Sequence, residues 1–260
     1  MAASPNLVYR LYERRLERDV LAQDRLPTHV GVILDGNRRY AERQGADPTM
    51  GHQAGAEKIE EFLDWCWELS IPYVTLWLLS TENLDRESDE VSALLRIIQE
   101  TVQRIATHPK AAERGLRVSA VGALDLLPAE VSTALKEAEE ATADHDETFL
   151  QVAVGYGGRQ EITDALRSLL LDAAARGQQL EDIAASLRPE DIGDHLYTTG
   201  FPDPDLIIRT SGELRLSGFL LWQSAHAEFH FSDPYWPEFR RLDFLRALRD
   251  YARRTRRFGR

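Results

Sequence analysis

The sequence predicts an α/β fold, a single domain with a central, largely parallel sheet flanked by helices, and three observations carry that expectation. Short apolar runs of strand length alternate with longer segments whose apolar residues recur at helical spacing. The runs are continuously apolar, as strands covered by helices on both faces are. Several stop abruptly at carboxylates, amides, hydroxyls and guanidiniums, and the carboxyl ends of strands are where an α/β sheet holds its ligands. With 260 residues and 43% apolar content the chain can bury one substantial core. The expected division is an amphipathic helix over residues 1–25 followed by one domain over residues 26–260.

From Asn6 to Val20, Leu7, Val8, Leu11, Tyr12, Leu16 and Val20 recur at helical spacing among Arg and Glu. The polar face of this helix carries both signs of charge, so packing on the body of the protein is expected, with peripheral contact with a membrane as the alternative. Val30, Val32, Ile33 and Leu34 predict a buried strand that ends in Asp35-Gly36-Asn37-Arg38-Arg39. Asp35 is thereby placed for chemistry; the alternative is a cap on the next helix. A helix follows from about Ala54 to Leu69, then a strand from Tyr73 to Leu79 that also ends in polar groups, Ser80-Thr81-Glu82-Asn83. Asp89 to Thr107 is helical, with an apolar face wider than packing on one sheet requires. Part of that face is read as the wall of an elongated apolar tunnel, ordinary core packing being the alternative.

Leu116 to Val121 predicts a strand, Pro128 to Thr142 a helix, and Phe149 to Val154 a strand ending in Gly155-Tyr156-Gly157-Gly158-Arg159, where the glycines permit close backbone approach to a ligand. Helices are expected at Ile162–Ala175 and Leu180–Leu187. The strand Leu206-Ile207-Ile208 ends in the segment from Arg209 to Ser217, whose two arginines and three hydroxyls suit an oxyanion. Surface ion pairs with Glu213 are the alternative there. Glu228 lies in an apolar stretch, where a metal or a basic partner would remove the cost of burying it. The last helix, from about Trp236 to Arg254, runs into a basic tail.

Composition excludes several classes. The net charge of −12 argues against nucleic-acid binding. The single cysteine, Cys66, excludes an intrachain disulfide framework. No apolar run approaches the length of a membrane span and no signal peptide is apparent, so a cytoplasmic protein is expected. There is no nucleophile elbow, Walker loop or dinucleotide fingerprint. What the strand ends offer together is a diphosphate site beside a wide apolar surface.

The motifs His29-Val30 through Asn37, Gly51-His52-Gln53-Ala54-Gly55, Ser80-Thr81-Glu82-Asn83, Tyr156-Gly157-Gly158-Arg159, Asp205 to Ser217, and Phe219-Leu220-Leu221-Trp222-Gln223 on to Ala227-Glu228 give the chain a distributed resemblance to the cis-prenyltransferases of the undecaprenyl diphosphate synthase family. The resemblance implies a homodimeric enzyme that condenses isopentenyl diphosphate onto an allylic diphosphate with a cis double bond, using Mg²⁺. It implies that Asp35 binds Mg²⁺ and assists diphosphate departure, with Gly36, Asn37, Arg38 and Arg39 at the allylic diphosphate. Arg209, Arg215 and Ser217 would hold isopentenyl diphosphate, and Glu228 would complete the metal environment. His52, Ser80 and Asn83 match positions tied to proton handling and substrate positioning, and Arg86 joins the substrate-binding set. The terminal Arg257-Phe258-Gly259 is similar to a tail that reaches the active site in two-component relatives, so Arg257 and Gly259 are substrate-binding candidates, a solvated basic end being the alternative.

Departures from the family pattern bear on product length. Leu78 stands where long-chain members carry a small residue, and Leu94, on the apolar helix that follows, is assigned with it to the product-length tunnel. The expected product is therefore short, on the pattern of actinobacterial members that make (2Z,6E)-farnesyl diphosphate from geranyl diphosphate. A longer-chain polyprenyl diphosphate synthase, a branching relative and a non-catalytic prenyl-diphosphate-binding subunit are the rival readings.

Overall fold

The computed structural model describes residues 7–23, 25–84 and 88–254. Six strands form one parallel sheet: β1 (His29–Ile33), β2 (Tyr73–Ser80), β3 (Leu116–Val121), β4 (Thr148–Tyr156), β5 (Leu206–Arg209) and β6 (Glu228–Phe231). Their order across the sheet is β3-β4-β2-β1-β5-β6. The helices are α1 (Leu7–Leu21), α2 (Asn37–Arg43), α3 (Pro48–Glu68), α4 (Ser88–Thr107), α5 (Pro109–Glu113), α6 (Ala129–Ala141), α7 (Gly158–Ala175), α8 (Leu180–Ser186), α9 (Pro189–Gly193) and α10 (Arg241–Arg253).

The expected α/β class and parallel sheet are therefore present. The elements the sequence reading did not contain are β6 and the short helices α2, α5 and α9. Each is short, and β6, Glu-Phe-His-Phe, is only half-buried along its length, so neither continuous apolarity nor helical periodicity marks it.

Strand side chains sort by alternation. Val30, Val32, Val74, Leu76, Leu150, Val152, Leu206 and Ile208 join the larger core with Phe62, Ile98, Leu135 and Phe244. Ile33, Trp77, Ala153 and Ile207 point to the other face, where Phe219 and Leu220 cover them. α3 starts where its chemistry dictates: Pro48 stands at the first turn and the Asp47 carboxylate accepts from the Thr49 N–H at 2.8 Å. No helix among the described residues is long and apolar enough to cross a membrane.

β1 lies at the centre, with Ile33 beside Trp77 of β2 on one side and beside Arg209 of β5 on the other. The chain leaves β1 toward β2 and comes back on the opposite flank with β5. Such a reversal of strand order opens a crevice at the carboxyl ends, immediately above Ile33.

At the other end of β1, His29 is buried, with Nδ1 2.7 Å from the Pro202 carbonyl and Nε2 2.8 Å from Thr75 Oγ1. Neutral imidazole donates through Nδ1–H and accepts from the Thr75 hydroxyl. Burial pushes the ring down to about 4, against the opposing pull of the Pro202 carbonyl and Asp205. A base lowered in the folded state contributes stability above its ordinary value of 6.5, and that contribution is lost as pH falls toward about 4. Denaturant unfolding is expected to show a loss of about 2 kcal/mol between pH 7 and pH 5 from this group, and His29→Gln to flatten that part of the profile.

Candidate active site

The site grows from the carboxyl end of β1. Gly36 turns the chain at φ 104°, and a Cβ there would lie 2.7 Å from the Tyr235 ring, so only glycine carries β1 into α2. The turn is pinned by Thr210, whose hydroxyl accepts from the Asp35 N–H at 3.0 Å and donates to the Asp35 carbonyl at 2.7 Å. Gly51 and Gly55 of α3 let α2 approach. A Cβ on the first would sit 2.0 Å from the Asn37 carbonyl oxygen, and one on the second 2.6 Å from Asn37 Oδ1. That Asn37 oxygen is buried with no hydrogen-bond partner among the described residues.

Asp35 is thus held in place with its carboxylate between two guanidiniums. Oδ2 accepts from Arg209 Nη2 at 2.7 Å and Oδ1 from Arg39 Nη2 at 3.1 Å. Burial alone would raise its pKa; the hydrogen bond and charge of Arg209, with Arg39 and Ser211, outweigh it and hold the carboxyl below the ordinary carboxylate value. Arg209 is itself 5% exposed and gives its other arm to Ser217 Oγ at 3.0 Å and to the Arg215 carbonyl. Arg39 also donates to Ser211 Oγ at 2.7 Å and to Glu213 Oε1 at 3.3 Å. Ser211, Ser217 and Leu220 all lie at positive φ, 76°, 51° and 45°, so the loop after β5 holds backbone strain where it shapes the site.

That loop is anchored from below. Gln223 donates to the buried Glu161 and, at 2.7 Å, to Thr198 Oγ1, and the Tyr156 hydroxyl donates to the same carboxylate. Burial raises Glu161 despite these donors. Gly158 packs on the loop: a Cβ there would be 2.4 Å from the Gly218 carbonyl oxygen. Gly158 thus serves a close approach of two backbone segments, and a Cβ on Gly157 would lie 2.6 Å from Thr81 Oγ1.

Two cavities open at the strand ends. One, of ≈ 330 Å³, is lined by Asp35, Gly36, Asn37, Arg38, Arg39 and His52; the other, of ≈ 400 Å³, by Asp35, Ser80, Arg209, Arg215 and Ser217. Leu34, Asp35, Leu78 and Asn83 line both, so Asp35 stands on the wall between them. An apolar slot of only ≈ 30 Å³ continues from the first cavity, between Leu34, Ile59, Leu78, Leu94, Ile97 and Thr101. The wide face of α4 therefore does both things the sequence left open: Leu95 and Val102 are core, and Leu94, Ile97 and Ile98 face the slot. In this structure the apolar space it lines is a slot of that volume.

The remaining candidates fall as follows. His52 and Arg38 approach one oxygen of Glu90, at 3.7 and 3.5 Å. Ser80 accepts from the Asn83 N–H at 3.3 Å and caps the turn Thr81–Asn83. Arg215 is exposed, lines the second cavity and is paired with Glu213. Glu228 is a correction: it pairs with Leu206, at the start of β5, whereas Arg209 beside Asp35 ends that strand. Three residues of rise, about 10 Å, separate the two levels of the sheet. Its carboxylate is instead met by Arg254 at 2.7 Å, the basic partner that the sequence left open. Within one chain Asp35 and Glu228 do not share a metal site. Arg86, Arg257 and Gly259 lie outside the described residues. Sequence reasoning missed Glu90 as a member of the site, and held Thr210 and Ser211 only as hydroxyls of the oxyanion segment, without their contacts to Asp35 and Arg39.

Among the described residues no group of three or more His, Cys, Asp and Glu side chains could hold a metal. One carboxylate on the wall between two anion-sized cavities nonetheless suits a hard divalent cation, which takes one or two protein carboxylates and completes its shell with phosphate oxygens and water.

Comparison with known proteins gives a consistent result. The profile of the family described as putative undecaprenyl diphosphate synthase matches residues 33–259. The chain is 58% identical over 253 residues to a (2Z,6E)-farnesyl diphosphate synthase of Thermobifida fusca, covering 97% of each chain. It is 54% identical to isoprenyl transferase 1 of Streptomyces avermitilis, over 97% of this chain and 96% of that one. Among solved structures, lavandulyl diphosphate synthase from Lavandula x intermedia in complex with dimethylallyl diphosphate superposes with a TM-score of 0.82 at 33% identity, over 90% of this chain and 99% of that one.

Proposed function

The chain belongs to the undecaprenyl diphosphate synthase family of prenyltransferases, and from that premise we propose that it is a short-chain cis-prenyltransferase that condenses isopentenyl diphosphate with geranyl diphosphate to (2Z,6E)-farnesyl diphosphate. The observation that carries the reading is the pair of cavities meeting at Asp35, the first continuing into an apolar slot of ≈ 30 Å³. In this proposal the allylic diphosphate occupies the first cavity against Arg38 and Arg39, and isopentenyl diphosphate the second against Arg209, Arg215 and Ser217. Breaking the allylic C–O bond leaves a carbocation and a diphosphate whose growing charge the arginines stabilise. A divalent cation, assigned as Mg²⁺ beside Asp35, supplies further stabilisation of the leaving diphosphate when bound.

The new C–C bond forms between the allylic C1 and C4 of isopentenyl diphosphate, and a proton passes from C2 of the latter to a diphosphate oxygen as the C2=C3 double bond forms. Asn83, Ser80 and His52 are assigned to orienting the two substrates for that transfer. The apolar walls exclude water, which would otherwise capture the cation. Assembly as a homodimer belongs to the same proposal. It is tested with purified protein, labelled isopentenyl diphosphate and geranyl diphosphate: turnover is expected to require both substrates and to stop when a chelator removes the divalent cation.

Leu78 sets how far hydrocarbon can grow, since it lines both cavities and the slot. Leu78→Ala removes three carbons from that constriction. The expected result is a shift toward products longer by one or more isoprene units, read by mass spectrometry of the dephosphorylated alcohols; an unchanged length distribution would count against the slot as the ruler.

A further inference from the structure

A cavity of ≈ 240 Å³ opens at the amino ends of the strands, between α3, α4 and α5, at the far end of the sheet from the crevice above Ile33. Cys66, Ile71, Val74, Ile105, Leu116 and Phe149 give it apolar walls, and Trp67, 46% exposed, stands at its rim. It is separate from the slot closed by Leu78. Alternation along β2 puts Val74, Leu76 and Leu78 on one face; Val74 lines this cavity, Leu78 lines the slot, and Leu76 between them is fully buried. On α4 the buried Val102 stands in the same way between Thr101 of the slot and Ile105 of the cavity. The two spaces share no lining residue.

The rim carries an excess of positive charge at one point. Asp64 accepts from Lys110 Nζ at 2.8 Å and lies 2.7 Å from Arg114 Nη1, and among the described residues it is the only carboxylate within ion-pair distance of either cation. Burial would raise the Asp64 carboxyl; Lys110 and Arg114 outweigh it and hold the group below the ordinary carboxylate value, so one anion faces two cations. The Arg114 side chain is only 12% exposed, and its guanidinium lies 4.3 Å from the centre of the Trp67 ring. Of the other acids that line the cavity, Glu60 pairs with Arg104 and Glu61 with Lys58. Glu57 stands two turns of α3 before Asp64, about 10 Å away.

We infer that this cavity binds a small amphiphile with one acidic head and a single hydrocarbon chain, the head at Lys110 and Arg114 and the chain against the apolar walls. The volume lies below the ~300–1,000 Å³ of pockets that hold drug-sized ligands, which suits one chain of medium length. A guanidinium already oriented by Trp67 and Asp64 offers a carboxylate or a phosphate a preformed fork. A cationic head would instead be repelled by the two cations at the rim. The inference does not rest on the diphosphate reading of the catalytic crevice.

The test is calorimetric titration of the full chain with decanoate and with geranyl monophosphate, set against decanol and decylamine. At least one of the two acids is expected to bind about tenfold or more tightly than the alcohol or the amine. The tighter acid identifies the source, a fatty acid or a prenyl monophosphate. Lys110→Gln combined with Arg114→Gln is expected to weaken that binding about tenfold or more. Leu116→Phe keeps both cations and fills the cavity, and should weaken it as much; urea midpoints near the wild-type value show that both variants are folded. Arg39→Ala, in the catalytic crevice, should leave it unchanged. An acid that binds no better than decanol, equal binding by wild type and both cavity variants, or a tenfold loss in Arg39→Ala would overturn the inference.

Discussion

Asp35→Asn is expected to lower kcat by about 10³-fold while the protein stays folded and still binds both diphosphates. The amide keeps the shape of the carboxylate and can still accept from one guanidinium, so the turn held by Thr210 and Gly36 survives. What disappears is the negative charge on the wall common to both cavities, and with it the protein's own hold on a divalent cation. A factor of 10³ corresponds to about 4 kcal/mol of barrier. Asp35→Ala should show the same kinetic loss and in addition a stability loss of about 2 kcal/mol, because the buried Arg209 then lacks its anion. The two variants together separate chemistry from scaffolding: kcat and KM by steady-state turnover, stability by urea midpoint. A variant that retains tenths of wild-type turnover would remove Asp35 from the reaction.

Arg209→Lys is expected to raise KM for isopentenyl diphosphate by about tenfold or more and to lower kcat as well. Arg209 holds three partners in one plane, Asp35 on one arm and Ser217 with the Arg215 carbonyl on the other. An ammonium is a single point of donation and cannot keep that fork. The loop that carries Ser217 at positive φ would lose its tether, and the Asp35 pKa should move up as its strongest donor is weakened. The split is diagnostic: KM for the allylic substrate, whose cavity is lined by Arg38 and Arg39 instead, should change much less. Equal rises in both KM values would mean that Arg209 acts only by holding the sheet end together.

Much of this site was legible in the sequence because a parallel sheet brings its carboxyl ends to one place. Asp35, Ser80 and Arg209 follow apolar runs that could only be strands, and strands paired in parallel must deliver them side by side. The legible part ends where a residue's meaning depends on its neighbour across the fold. Glu228 is the clearest case: an acid in an apolar stretch needs a partner, and only the placement of α10 shows that the partner is Arg254. Glu213 is another, since it reads as a rival for the arginines and in the fold bridges Arg39 to Arg215. Glu90, two turns from any motif, meets Arg38 and His52 only because α4 packs alongside α3 with its start beside that of α3. The mixed charge of α1 pointed to packing on the body of the protein, which the fold shows, but not to the partner: its glutamates belong to Arg241, and no pattern within the helix reveals that.

The product made from geranyl diphosphate and an excess of isopentenyl diphosphate tests the account most directly, through its length by mass spectrometry and its geometry by comparison with authentic alcohols after dephosphorylation. The two cavities at Asp35 and the slot closed by Leu78 and Leu94 predict a single addition, giving a fifteen-carbon product with one new cis double bond. A ladder of long polyprenols, an all-trans product, or no condensation with either geranyl or farnesyl diphosphate would contradict it.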